Sequence, residues 1–323
     1  MASFKVYILK RLIQIPIIVF AVVLIMFIIT RSAPGDPVLY WLGPNADEQM
    51  VAAMRIRLGL DRPLYEQFIH YVSLLIQGDF GTSVGLMSGF PVINLIMERL
   101  PRTFLLMGTA EILIIVIGVV LGVISSRKPF GKMDMLATAS ALITYSMPVF
   151  WLGIMLMLVF SLYLGIFPSS GISTYGLTGF ASIIDVLWHL ALPALTIALG
   201  YTALYFRLTR TSMLEVLEQD YVRTARAKGL GENTVFYKHA LRNAMLPIVT
   251  QIGTDLGVLV SGAVLTETVF AWPGIGKLAF DAMIQRDYPV IYGVFFITTI
   301  SVVLVTFATD IILAYIDPRI RYR

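Results

Sequence analysis

Thr211-Ser212-Met213-Leu214-Glu215-Val216-Leu217-Glu218-Gln219-Asp220-Tyr221-Val222-Arg223-Thr224-Ala225-Arg226-Ala227-Lys228-Gly229-Leu230-Gly231 stands between two apolar runs, Val186–Leu208 and Met245–Phe270. Each run is long enough to cross a bilayer. Six charged side chains fall between Glu215 and Lys228, with Arg210 just ahead. Leu214, Leu217, Tyr221 and Ala225 recur at helical spacing and predict one inward stripe. Glu215, Glu218, Arg223 and Arg226 lie largely off that stripe. Gly229 and Gly231 supply the backbone freedom to reverse direction. A second helix is expected from near Asn233, with Tyr237, Leu241, Ala244 and Ile248 facing inward. Residues 209–244 therefore read as a two-helix knob that packs on a membrane bundle and shows a polar face.

Composition agrees with that setting. The chain has 323 residues, 58% hydrophobic and 14% charged, with a mean hydropathy of +0.82. So few charges could not cover a soluble domain of this size. The apolar residues gather into continuous runs rather than alternating, which disfavours a β-barrel. An all-α polytopic membrane protein with six transmembrane helices is predicted: Leu12–Thr30, Phe104–Ser126, Leu136–Phe167, Val186–Leu208, Met245–Phe270 and Tyr292–Ile316. Pro148 in the long third span predicts a kink or tilt. Pro193 and Pro247 fall in the fourth and fifth. The first run exceeds a signal-peptide core and no small-x-small site follows it, so a retained helix is expected.

Charge sets the expected orientation. With the N-terminus inside, sixteen of the 24 lysines and arginines fall on the inner side. Six of the eight outer ones lie in one long loop, where the positive-inside rule loses force. Both termini are therefore expected in the cytoplasm. That long loop, 31–102, opens with a turn at Pro34-Gly35-Asp36-Pro37. It carries predicted helices over Asp47–Leu58, Leu64–Ile76 and Pro91–Leu100, a small extracytoplasmic helical cap. The chain thus divides into 1–30, 31–102 and a core of 103–323.

Four acids lie in or at the ends of spans: Glu111, Asp255, Glu267 and Asp310. Carboxylates in hydrocarbon are costly and should face the bundle or water. They are candidates for a substrate path or gate, Glu267 for an outer one, or for helix-to-helix hydrogen bonds. His70, His189 and His239 lack metal-ligand spacing, so no metal site is expected. Zero cysteines exclude disulfides and thiolate chemistry. No GxxxxGK[ST] loop occurs, so no ATP site is expected in this chain. The net charge of +4 is no nucleic-acid signal in itself. Trp41, Trp188 and Trp272 suit an interfacial aromatic belt.

Asp220-Tyr221-Val222-Arg223-Thr224-Ala225-Arg226-Ala227-Lys228-Gly229-Leu230, followed by His239-Ala240-Leu241-Arg242-Asn243-Ala244, resembles the cytoplasmic loop of ABC-importer permeases. More narrowly it resembles the dipeptide/oligopeptide (peptide/nickel-type) permease family. The superfamily pattern is Glu-Ala-Ala, three residues, Gly, nine residues, Ile-x-Leu-Pro. Here Ala225 and Gly229 are kept, while Arg223 and Thr224 replace the Glu and first Ala. His239 and Leu241-Arg242 stand at the Ile and Leu-Pro positions. Further family-like stretches follow in order along almost the whole chain: Leu58–Leu64, Gly78-Asp79-Phe80-Gly81-Thr82-Ser83, Leu100–Thr103, Met147–Trp151, Thr266–Gly276 and Arg286-Asp287-Tyr288-Pro289.

The resemblance implies a type I ABC importer permease fold in the inner membrane of a prokaryote, forming half of a pore. Its implied partners are a second homologous permease, two ABC ATPase subunits, an extracytoplasmic substrate-binding protein and membrane lipid, with no nucleic acid. ATP and Mg would be bound by the ATPases, leaving this chain without cofactor or catalytic residue. Glu218, Asp220, Tyr221, Arg223, Thr224, Ala225, Arg226, Ala227, Lys228 and Gly229 would form the contact with an ATPase. The implied cargo is a di- or oligopeptide or a related solute such as a nickel complex or glutathione. The rival reading is an ion- or proton-coupled secondary carrier using the buried acids, although inverted repeats are not visible. A membrane-embedded enzyme would need a nucleophile constellation that the sequence lacks.

Overall fold

The computed structural model describes residues 4–32, 37–42, 46–57, 59–259 and 264–316. Its helices are α1 (Phe4–Ser32), α2 (Pro37–Leu42), α3 (Glu48–Arg57), α4 (Leu64–Ile76), α5 (Val92–Arg127), α6 (Lys132–Ser146) and α7 (Val149–Leu156). There follow α8 (Gly179–Leu217), α9 (Asp220–Ala227), α10 (Arg242–Leu259), α11 (Val264–Val269), α12 (Ile275–Ile284) and α13 (Tyr288–Ile316). Two π-helical stretches continue α7 over Met157–Tyr163 and lead into α10 over Thr234–Leu241. Extended pairing among the described residues is limited to a bridge between Thr82 and Pro91. Helices dominate because a chain in hydrocarbon must satisfy its backbone polar groups internally.

Among the described residues, α1, α5, α8 and α13 are long and apolar enough to cross a membrane. A fifth crossing arises if α6 and α7 with its π extension count as one span, bent by 107°. Pro148 causes that bend. It disfavours helix at the residue before it, and Met147 is extended at φ −88° and ψ 137°. Of the fifth predicted span, Met245–Phe270, the described residues are helical through α10 and α11, with 260–263 outside the described residues. The first three residues of the turn predicted at 34–37 and the arginines of 319–323 also lie outside them, while Pro37 opens α2.

The separate helix predicted over Pro91–Leu100 is the first part of α5, which runs through Pro101 without a break. At 36 and 39 residues, α5 and α8 are roughly 54 and 58 Å long against a hydrocarbon core of about 30 Å. Both therefore project beyond the bilayer, and α8 carries α9 out at its end. The two lie against each other along much of their length. Gly118 and Gly122 make this possible: an added Cβ would lie 2.5 Å from Cβ of Tyr205 and 2.6 Å from Cβ of Thr209. This small-xxx-small spacing lets two backbones approach where side chains would hold them apart.

At the cap end, α1 packs on α13 and α4 through aromatic rings. Phe27 meets Phe68 at 5.2 Å, Tyr71 meets Tyr292 at 4.6 Å, and the hydroxyls of Thr30 and Tyr292 share a hydrogen bond. Trp272 is not part of an aromatic belt. It is fully buried and donates its indole N–H to the Arg102 carbonyl at 3.0 Å, because its turn folds under α5.

Candidate functional site

The knob is built from breaks in helical phase. α8 ends at Leu217, and Gln219 is extended at φ −69° and ψ 147° before α9 begins. The Gln219 carbonyl accepts from the amides of Val222 at 3.0 Å and Arg223 at 3.2 Å. The extended residue resets the phase, so the single stripe expected through Leu214, Leu217, Tyr221 and Ala225 does not form. Ala225 is buried as expected, but Val222 takes the inward place expected of Tyr221, and the two pack onto Val235, Val216 and Leu217. Tyr221 lies at the rim, where its hydroxyl accepts from Nδ2 of Asn243 at 2.9 Å. α9 closes with a Schellman pair: Gly229 N donates to Arg226 O at 2.9 Å, and Leu230 N to Ala225 O at 3.4 Å. Gly229 sits at φ +79°, the left-handed conformation this turn demands.

The return helix differs in the same way. Its first turns are π-helical, and the wider turn places Phe236, Ala240, Ala244 and Ile248 inward. Tyr237, expected on that face, is exposed. Two of the four expected residues, Ala244 and Ile248, are buried as foreseen.

Outside, the knob is polar. Asp220 and Arg223 are 97% and 70% exposed, at 3.6 Å from each other. Arg226 donates from Nε to Glu232 at 3.0 Å, tying α9 to the residue beyond the turn. Glu218, Thr224, Ala227 and Lys228 are also exposed. Arg127 at the end of α5 reaches the knob from the bundle. It donates to Oδ1 of Asn233, and its guanidinium carbon lies 5.5 Å from the ring centroids of both Phe236 and Tyr237. The sequence placed Arg127 only among the inner charges; no spacing rule links it to residues more than a hundred positions away.

The intramembrane acids are tied to neighbouring helices. Glu111 on α5 and Asp255 on α10 meet at one buried hydroxyl: that of Tyr205 on α8 lies 2.9 Å from Glu111 Oε1 and 2.7 Å from Asp255 Oδ2. Gln251 donates to the other Asp255 oxygen at 2.8 Å. One phenolic proton cannot serve two carboxylates, so the trio is fully bonded only when one carboxyl carries a proton of its own. Tyr205→Phe is expected to lower stability by about 1–3 kcal/mol, since it strands buried acceptors on two helices. Glu111→Gln should cost less, because its amide can still donate to the phenolic oxygen. Thermal unfolding of the purified protein checks both; a Phe variant as stable as the parent would rule out the linkage.

Glu267 is fully buried. It accepts from the Thr103 hydroxyl at 2.8 Å and from the Lys277 amide at 2.9 Å. The Thr103 oxygen in turn accepts from Ile275 N at 2.8 Å. The carboxylate thus fills the N-terminus of α12 and binds it to α5. Asp310 pairs with Arg11 on α1 at 3.0 Å.

One further acid was missed as a site. Asp287 is buried and accepts from Ser83 Oγ at 2.5 Å, Gly85 N at 2.9 Å and Leu86 N at 3.0 Å. Two stretches quoted separately from the sequence, Gly78–Ser83 and Arg286–Pro289, are therefore joined by this clamp. An acid followed by Tyr-Pro carries no local mark of such a contact.

The family model for "binding-protein-dependent transport system inner membrane component" matches residues 115–322, and the model of that family's N-terminal region matches residues 4–107. The chain belongs to this permease family. The permease is 42% identical over 317 residues to the oligopeptide transport system permease protein AppB of Bacillus subtilis, covering 98% of this chain and 99% of that one. It is 38% identical over 317 residues to the glutathione transport system permease protein GsiC of Escherichia coli, at the same coverage. Its fold is like that of an inward-facing MetNI methionine ABC transporter, with a TM-score of 0.57 at 21% identity over 72% of the permease and all of that chain. The permease is a multi-pass inner-membrane protein with the type I ABC importer fold. The secondary-carrier reading finds no support in these relatives.

Proposed function

We propose that the permease forms half of the pore of an ATP-driven importer for peptides or related small solutes. A second homologous permease completes the pore. Two ATPase subunits, which bind ATP and Mg, dock on the knob from the cytoplasm, and an extracytoplasmic binding protein delivers cargo to the cap. Both termini lie in the cytoplasm. The names of AppB and GsiC support the cargo class, a peptide or a peptide-like thiol. The observation that carries the coupling role is the two-sided build of α9. Val222 and Ala225 fasten it to the bundle, while Asp220, Arg223, Arg226 and Lys228 face outward.

A lever needs a rigid seat and rigid outputs. The knob has two: the unbroken passage through the π-helical stretch into α10, and the Arg127 link to α5. Closure of the ATPases would move α9 as one body and bias the helices between inward and outward access. Candidate contact residues are Glu218, Asp220, Tyr221, Arg223, Thr224, Arg226, Ala227 and Lys228, with Ala225 and Gly229 shaping the seat.

Arg223→Glu tests this reading. An exposed charge reversal changes stability by only about 0.5 kcal/mol, so insertion should be normal. Uptake of labelled peptide should fall at least tenfold while ATP hydrolysis continues. Arg226→Glu should act likewise. Gly229→Pro, which cannot adopt φ +79°, should deform the seat itself. Normal uptake in all three would reject the coupling role.

A further inference from the structure

A groove of about 580 Å³ opens between α6 and α8, where α8 is long and apolar enough to cross a membrane and α6 is so together with α7. Its walls are apolar, with Met135, Leu142, Tyr145, Ala203, Leu204 and Phe206 among them. Its charged side chains are Asp134, Arg207 and Arg210. Asp134 and Arg210 are committed to each other through two bonds of 2.7 and 2.8 Å, and the spare acceptor capacity of Asp134 takes the Phe130 amide at 2.7 Å. Arg207, one turn earlier on α8, is exposed and has no ion-pair partner among the described residues. Lys132, in the first turn of α6 and two residues before Asp134, is likewise exposed and unpaired among them. Phe130 stands at the same end, 84% exposed, with its ring centroid 5.9 Å from the Arg210 guanidinium.

We infer that this groove is a binding site for an anionic phospholipid. The acyl chain lies along the apolar walls, and the phosphate meets Arg207 and Lys132 at the end nearer the knob. The charge pattern selects this occupant. A helix of another subunit could fill the apolar part but would leave both cations without an anion. A phospholipid supplies both halves, as basic pockets between membrane helices hold acidic headgroups. The inference needs only the membrane embedding of α6 and α8 and is independent of cargo and ATPase docking. Occupancy would brace α6, just before the bend into α7, against α8, whose end carries α9.

Native mass spectrometry tests it. Full-length protein, extracted with its bound subunits, is incubated with equal amounts of phosphatidylglycerol and phosphatidylcholine bearing the same acyl chains. The parent protein should retain phosphatidylglycerol preferentially. Arg207→Ala and Lys132→Ala should each reduce that preference about fivefold, while Arg207→Lys keeps it. Ala139→Trp, which fills the groove and leaves every charge in place, should remove the bound lipid. Equal retention of the two lipids by the parent protein would overturn the proposal. So would an unchanged preference in the doubly substituted protein. A groove occupied by another subunit would overturn it too, showing as loss of that subunit, not of lipid, in Ala139→Trp.

Discussion

Gly118→Leu is expected to yield no stable permease. An added Cβ at 118 would lie 3.1 Å from both the Phe206 amide nitrogen and the Thr202 carbonyl oxygen, besides its 2.5 Å approach to Tyr205. Two of these three neighbours are backbone inside a continuous helix, so neither can yield without breaking the α8 ladder. Overpacking costs about 1–3 kcal/mol and more when nothing can move. Here the helices must separate, and Tyr205 is drawn away from Glu111 and Asp255, at roughly another 1–3 kcal/mol for stranded polar groups. Gly122→Leu should behave the same way, since its Cβ would sit 2.9 Å from the Phe206 carbonyl. Gly108→Ala is the control, because nothing lies within 4 Å of its added Cβ. Size-exclusion chromatography of fluorescently tagged protein should show one sharp peak for Gly108→Ala and none for the leucine variants. A sharp peak for Gly118→Leu would contradict the close approach of α5 and α8.

Glu267→Ala should destabilise by about 2–5 kcal/mol, at roughly 1–3 for each stranded donor, a large part of the margin by which most folds survive. It strands the buried Thr103 hydroxyl and the partly buried Lys277 amide, and it removes the cap of α12. Gly274→Ala should come close to the same loss by another route. Its Cβ would lie 2.3–2.4 Å from the Glu267 carboxylate and expel it. Glu267→Gln should fall between, because one amide oxygen still accepts while the amide nitrogen confronts a donor. Thermal unfolding with proteolysis at the α11–α12 turn reads these effects. An alanine variant with unchanged midpoint would show that the carboxylate does not hold α12 to α5.

Much of the fold was legible because hydropathy is additive along the chain. α1, α5, α8 and α13 coincide with predicted spans since each buries or exposes twenty or so apolar residues regardless of its neighbours. The place of the knob was also legible, from charge density between two runs and from glycine at 229. Its inner face was not. Gln219 and the π turns at Thr234–Leu241 each shift helical phase, and no residue type announces either break. A tyrosine in an apolar run looks like core, and only the packing of α5 and α10 on α8 brings carboxyls to the Tyr205 hydroxyl.

By itself, the sequence determined what depends on composition and local stereochemistry. It decided that the chain enters the membrane, that Pro148 interrupts the third span, and that Gly229 ends α9 in a left-handed turn. Tertiary structure alone decided which carboxyls meet which donors. Glu267 found Thr103 and Asp287 found Ser83 across 164 and 204 residues of chain. Hydrogen bonds of that kind are set by distances of about 3 Å between separate helices, and no pattern along a single strand of sequence encodes them.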